Sequence, residues 1–204
     1  MLATFALLTQ QFQVPQGYTR QTEIGYTGSS PKNYSFESYT MQGPESKPGN
    51  FQKIYVVLHD QGDKHLEVPL PADATTGEMN FSFVEFAASP NEKAFMLERK
   101  VATGTYETYL YTKSDTEVKS APDAKQVQSL NDFIVKKIGH PGKPDDHEGT
   151  LTTVFPKRWT KAGLASVDVT DDDTRHDPHW FRVTINPETG AVTAYKATTR
   201  KVGG

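Results

Sequence analysis

The 204-residue chain contains no cysteine. That one absence excludes disulfide frameworks, thiolate zinc sites, iron–sulfur clusters and cysteine nucleophiles. Any metal must therefore be held by His, Asp or Glu. A chain of this length without thiols also suits a protein exported from a bacterium, since a lone cysteine invites mispairing in an oxidising compartment. Charge of one sign is scarce as well: 22 basic side chains stand against 25 acidic ones, for a formal charge of -3. No basic footprint for nucleic acid follows from that balance. Long hydrophobic runs are missing, with 35% hydrophobic residues and a mean hydropathy of -0.61, so no stretch approaches the roughly 20 apolar residues of a membrane-spanning helix. The chain also lacks G-x-S-x-G, a Walker A loop, G-x-G-x-x-G and HExxH, and with them any motif that names a reaction. The balance leans away from an enzyme.

The N-terminus carries a short apolar run, Leu2 to Leu8 (LATFALL), similar to the tail of a signal-peptide core. It has neither a basic leader nor a small-x-small cleavage site before Gln10, so an arm or a first strand is the simpler reading. The sequons at Asn33 and Asn80 matter only in a eukaryotic secretory pathway and carry no weight. We accordingly expect an N-terminal arm or remnant of an export segment at 1–16, a single β-rich domain at 17–197 and a frayed tail at 198–204.

Along most of the chain the hydrophobic period is two, the signature of strands packed on one face. Asn33 to Met41 sets Tyr34 and Phe36 against Ser35 and Glu37. Phe51 to His59 and His65 to Leu70 form a hairpin around Gln61-Gly62-Asp63, and Met79 to Lys113 contains three alternating runs separated by turns at Ser89-Pro90-Asn91-Glu92 and near Gly104. That block predicts a β-meander. Its first turn resembles a strand pair of a β-propeller blade, but no second copy exists at a fixed spacing. Thr150 to Phe155 and Ala165 to Thr170 are further strands, the former ending before Pro156. Trp180 to Ile185 and Ala191 to Ala197 flank Asn186-Pro187-Glu188-Thr189-Gly190, where Pro begins a type I turn and Gly takes the left-handed position.

Ser120 to Ile138 breaks the pattern. Val127, Leu130, Ile134 and Ile138 recur at helical spacing, widened by Phe133, with Ser120 as N-cap, Asp123 completing a capping box and Gly139 as stop. The fold class expected is thus α+β and strongly β-rich: an antiparallel sheet or sandwich of about eight to ten strands with one helix packed near 120–138.

Chemistry concentrates in two loops. The first holds His140, Asp145, Asp146, His147 and Glu148, the second Asp171, Asp172, Asp173, His176, Asp177 and His179. Imidazole with carboxylate suits zinc and related ions, and clustered carboxylates suit calcium. The best metal candidates are Asp173, His176, Asp177, His179, His140 and His147; solvated turn residues are the plainer explanation, so no cofactor is expected beyond a divalent ion such as Ca or Zn. Pro178 keeps His176 and His179 off a helix face. Glu85 and Glu98 on neighbouring strands form a carboxylate pair, and His59, Asp60 and His65 flank a hairpin turn, where their polarity is explained by the turn itself. Tyr106, Tyr109 and Tyr111 share one strand; parity divides them between two faces, one a core and the other a candidate surface for a partner. Two functions follow. The first is a non-catalytic exported bacterial binding protein, periplasmic or secreted, acting on another protein through a sheet face or loops, as an inhibitor or immunity protein does. The alternative is a metal-dependent hydrolase, which requires the loops at 140–148 and 171–179 to meet around one ion.

Overall fold

The structure is a computed structural model that describes residues 13–14, 16–26, 31–41, 50–51, 53–60, 65–70, 77–78, 83–102, 105–121, 129–130, 133–134, 151–171 and 180–198. The chain is strand-rich, and its sheets are antiparallel apart from one short parallel pair. Fifteen strand segments lie among these residues, ten of them five residues or longer.

The first sheet has the order β1-β3-β5-β6 and is built from β1 (Thr19–Glu23), β3 (Tyr34–Met41), β5 (Lys53–Asp60) and β6 (His65–Glu67). The second has the order β11-β10-β9-β8-β2. It joins β2 (Gly25–Tyr26), β8 (Phe83–Ala88), β9 (Ala94–Ala102), β10 (Thr105–Lys113) and β11 (Val118–Ser120). The third is a simple meander of β12 (Leu151–Trp159), β13 (Ala165–Asp171), β14 (Trp180–Ile185) and β15 (Val192–Thr198). A two-residue ladder of β4 (Asn50–Phe51) and β7 (Gly77–Glu78) stands apart from them.

Alternation along the second sheet decides the layering. Phe86, Phe95, Leu97, Tyr109, Tyr111 and Val118 enter one core with Tyr34, Phe36 and Leu58 of the first sheet. Their neighbours Ala87, Met96 and Leu110 enter a second core with Ala165, Val167, Val183 and Ile185 of the third. Successive residues of a strand point to opposite faces, so the second sheet is the middle layer, buried on both sides. The Trp159 indole N–H donates to the Ala87 carbonyl at 3.1 Å across the second core, and the Tyr111 hydroxyl donates to the Pro69 carbonyl at 3.0 Å beside the first.

The first core is aromatic at its centre. Phe36 lies 4.6 Å from both Phe86 and Phe95, centroid to centroid, and Phe95 stacks on Tyr111 at 5.1 Å. The Tyr34 ring joins them and receives Lys113 over its face at 5.5 Å.

The hairpin turns follow the turn chemistry of the sequence. Asn186 N–H donates to the Ala191 carbonyl at 2.9 Å, and Gly190 takes a φ of 67°. Ser89 and Asn91 close the β8–β9 turn through their side chains, leaving Glu92 at a φ of 56°. That strained position is held from outside, because the Glu92 carboxylate accepts from Lys32 N–H at 2.9 Å and Asn33 Nδ2 at 2.7 Å.

Two expectations need correction. The strand expected to end before Pro156 runs on to Trp159. Pro156 is tolerated because β12 is an edge strand and its register shifts between Val154 and Arg158, so no ladder hydrogen bond is required of the proline. The packed helix near 120–138 is not seen. Ser120, its expected N-cap, instead closes β11, paired with Tyr111, and Ser129 bridges to Tyr109. Helical backbone among the described residues is confined to Leu130, Phe133 and Ile134, all buried in the second core. The rest of that segment, including Val127 and Ile138, lies outside the described residues. Ser120 itself is taken up by the sheet edge, where it pairs with Tyr111 and satisfies ladder groups.

The Tyr34 hydroxyl and the Thr40 hydroxyl are buried without a hydrogen-bond partner among the described residues. Burial, and next the charge of Glu92, raise the Tyr34 pKa well above its ordinary value. Because an unpartnered buried polar group costs stability, Tyr34→Phe and Thr40→Val are expected to be neutral or stabilising by about 1 kcal/mol in urea unfolding. Phe36→Ala, which empties the aromatic centre, should cost about 3–5 kcal/mol. A Tyr34→Phe variant destabilised by more than about 1 kcal/mol contradicts this reading of the core.

Candidate functional site

The first sheet turns Tyr34, Phe36 and Leu58 inward, which places Ser35, Glu37 and Tyr39 of β3 and His59 of β5 on its opposite face. Register completes the set. Arg20 lies opposite Tyr39, Ser35 opposite His59, and His59 opposite His65. Four neighbouring strands thus each place a polar or charged side chain on one face.

Glu37 is the hub. Its Oε1 contacts Arg20 at 2.5 Å, and its Oε2 accepts from the Tyr39 hydroxyl at 2.5 Å and lies 3.0 Å from His59 Nε2. The His59 ring meets His65 edge to face with centroids 4.3 Å apart. The side chains of Glu37 and His59 are only 17% and 22% exposed, whereas Arg20 is 55% exposed. Burial alone pushes the Glu37 pKa up. The hydrogen bond from Tyr39, the positive charges of His59 and Arg20 and the hydrogen bond with His59 together outweigh it and hold the carboxyl below its ordinary range. The arrangement fixes a carboxylate between a guanidinium and an imidazole on rigid strands, which suits oriented recognition and proton exchange.

Of the residues singled out from the sequence, His140, His147, Asp173, His176, Asp177 and His179 lie outside the described residues. Asp171 closes β13 opposite Leu151. Among the described residues no three His, Asp or Glu side chains are grouped so as to hold a metal ion. Tyr109 and Tyr111 are buried in the first core, so the face they share is internal and serves packing, not a partner. Burial raises the pKa of both phenols; beyond that, Tyr109 donates to Glu107 and sits by its charge, with Arg99 opposing, and Tyr111 faces Tyr109. The side chain of Tyr106 lies outside the described residues. Glu85 and Glu98 do stand opposite each other on β8 and β9, with Glu98 buried on the face of Met96.

Elsewhere, Arg182 forms a two-pronged bond to Asp168 at 2.7 and 2.9 Å across β13 and β14, which raises its pKa. A small cleft of about 100 Å³ lies between three turns, lined by Asn91, Lys93, Gly163, Asn186 and Glu188. A Cβ on Gly163 would meet Asn91 Nδ2 at 3.3 Å, so glycine both takes the φ of 78° and allows these turns to pack.

No protein-family model matches the chain, and no curated protein matches it. No helix among the described residues is long and apolar enough to cross a membrane.

A carboxyl held below its ordinary pKa stabilises the fold above its unfolded pKa, and that contribution is lost as pH falls through the folded pKa. Glu37→Gln should therefore lower stability at pH 7 by about 2 kcal/mol, the scale of hydrogen bonds to a charged group. The gap to wild type should narrow as pH falls below the ordinary glutamate range toward the lowered folded pKa. Urea unfolding from pH 7 to 3 measures this. A gap that stays constant with pH would show that the carboxylate charge is not what Glu37 contributes.

Proposed function

We propose that this chain is a non-catalytic binding protein of exported bacterial type, which engages another protein through the outer face of its first sheet. The carrying observation is the cluster of Arg20, Glu37 and His59, fixed by mutual contacts on adjacent strands and by the hydrogen bond that the buried Tyr39 donates to Glu37. Side chains already held in place lose little freedom on association, so such a cluster favours recognition of a complementary surface. An oxidising compartment agrees with the absence of cysteine. Inhibition of a secreted protein is the kind of activity that a rigid sheet face serves without chemistry of its own.

The test is capture from bacterial culture supernatant on immobilised wild-type chain, with Arg20→Glu and Glu188→Lys as paired variants. Arg20→Glu should lose a specifically retained protein by at least about tenfold, the effect of roughly 1.4 kcal/mol at an interface. Glu188→Lys, at an exposed turn, should retain it. Equal capture by Arg20→Glu, or the absence of any retained protein, contradicts the proposal.

A further inference from the structure

Three turns of the second and third sheets meet around the cleft of about 100 Å³. Each is closed by one of its own side chains. In the β8–β9 turn, Asn91 Oδ1 accepts from Ser89 Oγ at 2.7 Å and from Lys93 N–H at 3.1 Å. In the β14–β15 turn, Asn186 Oδ1 accepts from the N–H groups of Glu188 and Thr189 at 2.9 and 3.3 Å. In the β12–β13 turn, Thr160 Oγ1 accepts from Leu164 N–H at 3.1 Å, and the Thr160 carbonyl accepts from Gly163 N–H at 2.9 Å. The walls of the cleft are thus fixed before anything enters it, which removes an ordering cost from binding.

These closures decide what the walls offer. A backbone N–H only donates, so the amide atom of Asn91 and of Asn186 that faces it is the oxygen, and the NH2 of each side chain is the end left for another acceptor. Asn91 Nδ2 stands against Gly163, 3.3 Å from where a Cβ would be. Lys93 and Glu188 add one charge of each sign to the same lining. They sit on different turns and form no ion pair with each other. A bare anion in this cleft would meet repulsion from Glu188, and a bare cation repulsion from Lys93. The complement of both is a small molecule that carries the two charges itself. Size narrows the choice further: an apolar cavity of about 150 Å³ holds benzene, so one of this volume admits roughly four to five non-hydrogen atoms. That is the main-chain part of an amino acid.

We infer that the cleft between the three turns binds a free α-amino acid with a small side chain, whose carboxylate accepts from Lys93 and the two asparagine amides while its ammonium donates to Glu188. The site goes beyond the protein-binding face. It belongs to turns of the second and third sheets, whereas that face belongs to the first, so the two readings stand or fall separately.

Amide chemical shifts of the full chain, titrated at neutral pH with free glycine, acetate and methylammonium in turn, read the site. Glycine should shift the backbone amides of Asn91, Gly163 and Glu188 saturably, with a Kd on the order of 1 mM. Acetate and methylammonium, which each carry half of the ligand, should bind at least about tenfold more weakly. Asn91→Asp and Asn186→Asp keep the oxygen that closes each turn and exchange the NH2 for a second oxygen. Either should weaken glycine at least about tenfold, the scale of one hydrogen bond to a charged group. Glu188→Lys should do the same while leaving protein capture intact, and Lys93→Gln supplies the test from the opposite charge if that turn is disturbed. The inference is overturned if glycine gives no saturable shift at these turns, if acetate or methylammonium binds as tightly as glycine, or if any of these folded variants binds glycine like wild type.

Discussion

Everything in this fold depends on the middle sheet being buried on both faces. β9 supplies Phe95 and Leu97 to one core and Met96 to the other, and β10 supplies Tyr109 and Tyr111 to one and Leu110 to the other. With no solvent face, these strands cannot slip by one residue without exchanging the contents of two cores at once. Register is therefore fixed more firmly here than in a sheet packed on one side, and the outer sheets inherit it. The first sheet docks through Tyr34, Phe36 and Leu58, the third through Val167, Val183 and Ile185. The outward positions of the first sheet then lie off the first core, and Glu37 and His59 meet there.

Much of this was legible in the residues. Alternation marked β3, the β8–β10 meander and the closing hairpin, because period two follows from strand geometry itself, and turn residues such as Asn186 and Gly190 located the reversals. What alternation cannot show is a second layer. Thr108, Leu110 and Met96 look like an intermediate face beside the aromatic one, yet they are buried, since packing against the third sheet depends on residues more than fifty positions away. The helix start expected at Ser120 was misplaced for a related reason. Leu130, Ile134 and Phe133 were correctly read as apolar and are buried, but Ser120 was drawn into β11 by unsatisfied ladder groups of β10 that local spacing does not reveal.

The site was harder to read. His59 and His65 are symmetric about their turn, so the hairpin already implied that they face each other. Glu37 sat in a recognised polar alternation. Arg20 carried no signal at all, because β1 joins β3 across a register shift between Arg20 and Thr22 that only the tertiary pairing defines. Composition drew attention to the His and Asp loops, whereas the contacts described here arise on strands, where chemistry-bearing residues are spaced by alternation and not clustered in sequence. Conversely, tyrosines that suggested a surface proved to be core, because a phenol on a doubly buried strand contributes area first and its hydroxyl second.

The most direct measurement of the layered account is equilibrium unfolding of Met96→Ala and Leu97→Ala, adjacent residues that enter different cores. The account predicts that each loses about 2–5 kcal/mol and that both variants, like wild type, unfold in a single transition followed identically by fluorescence and circular dichroism. Separation into two transitions, or a substitution on either face that leaves stability within about 0.5 kcal/mol of wild type, would contradict a middle sheet shared by both cores.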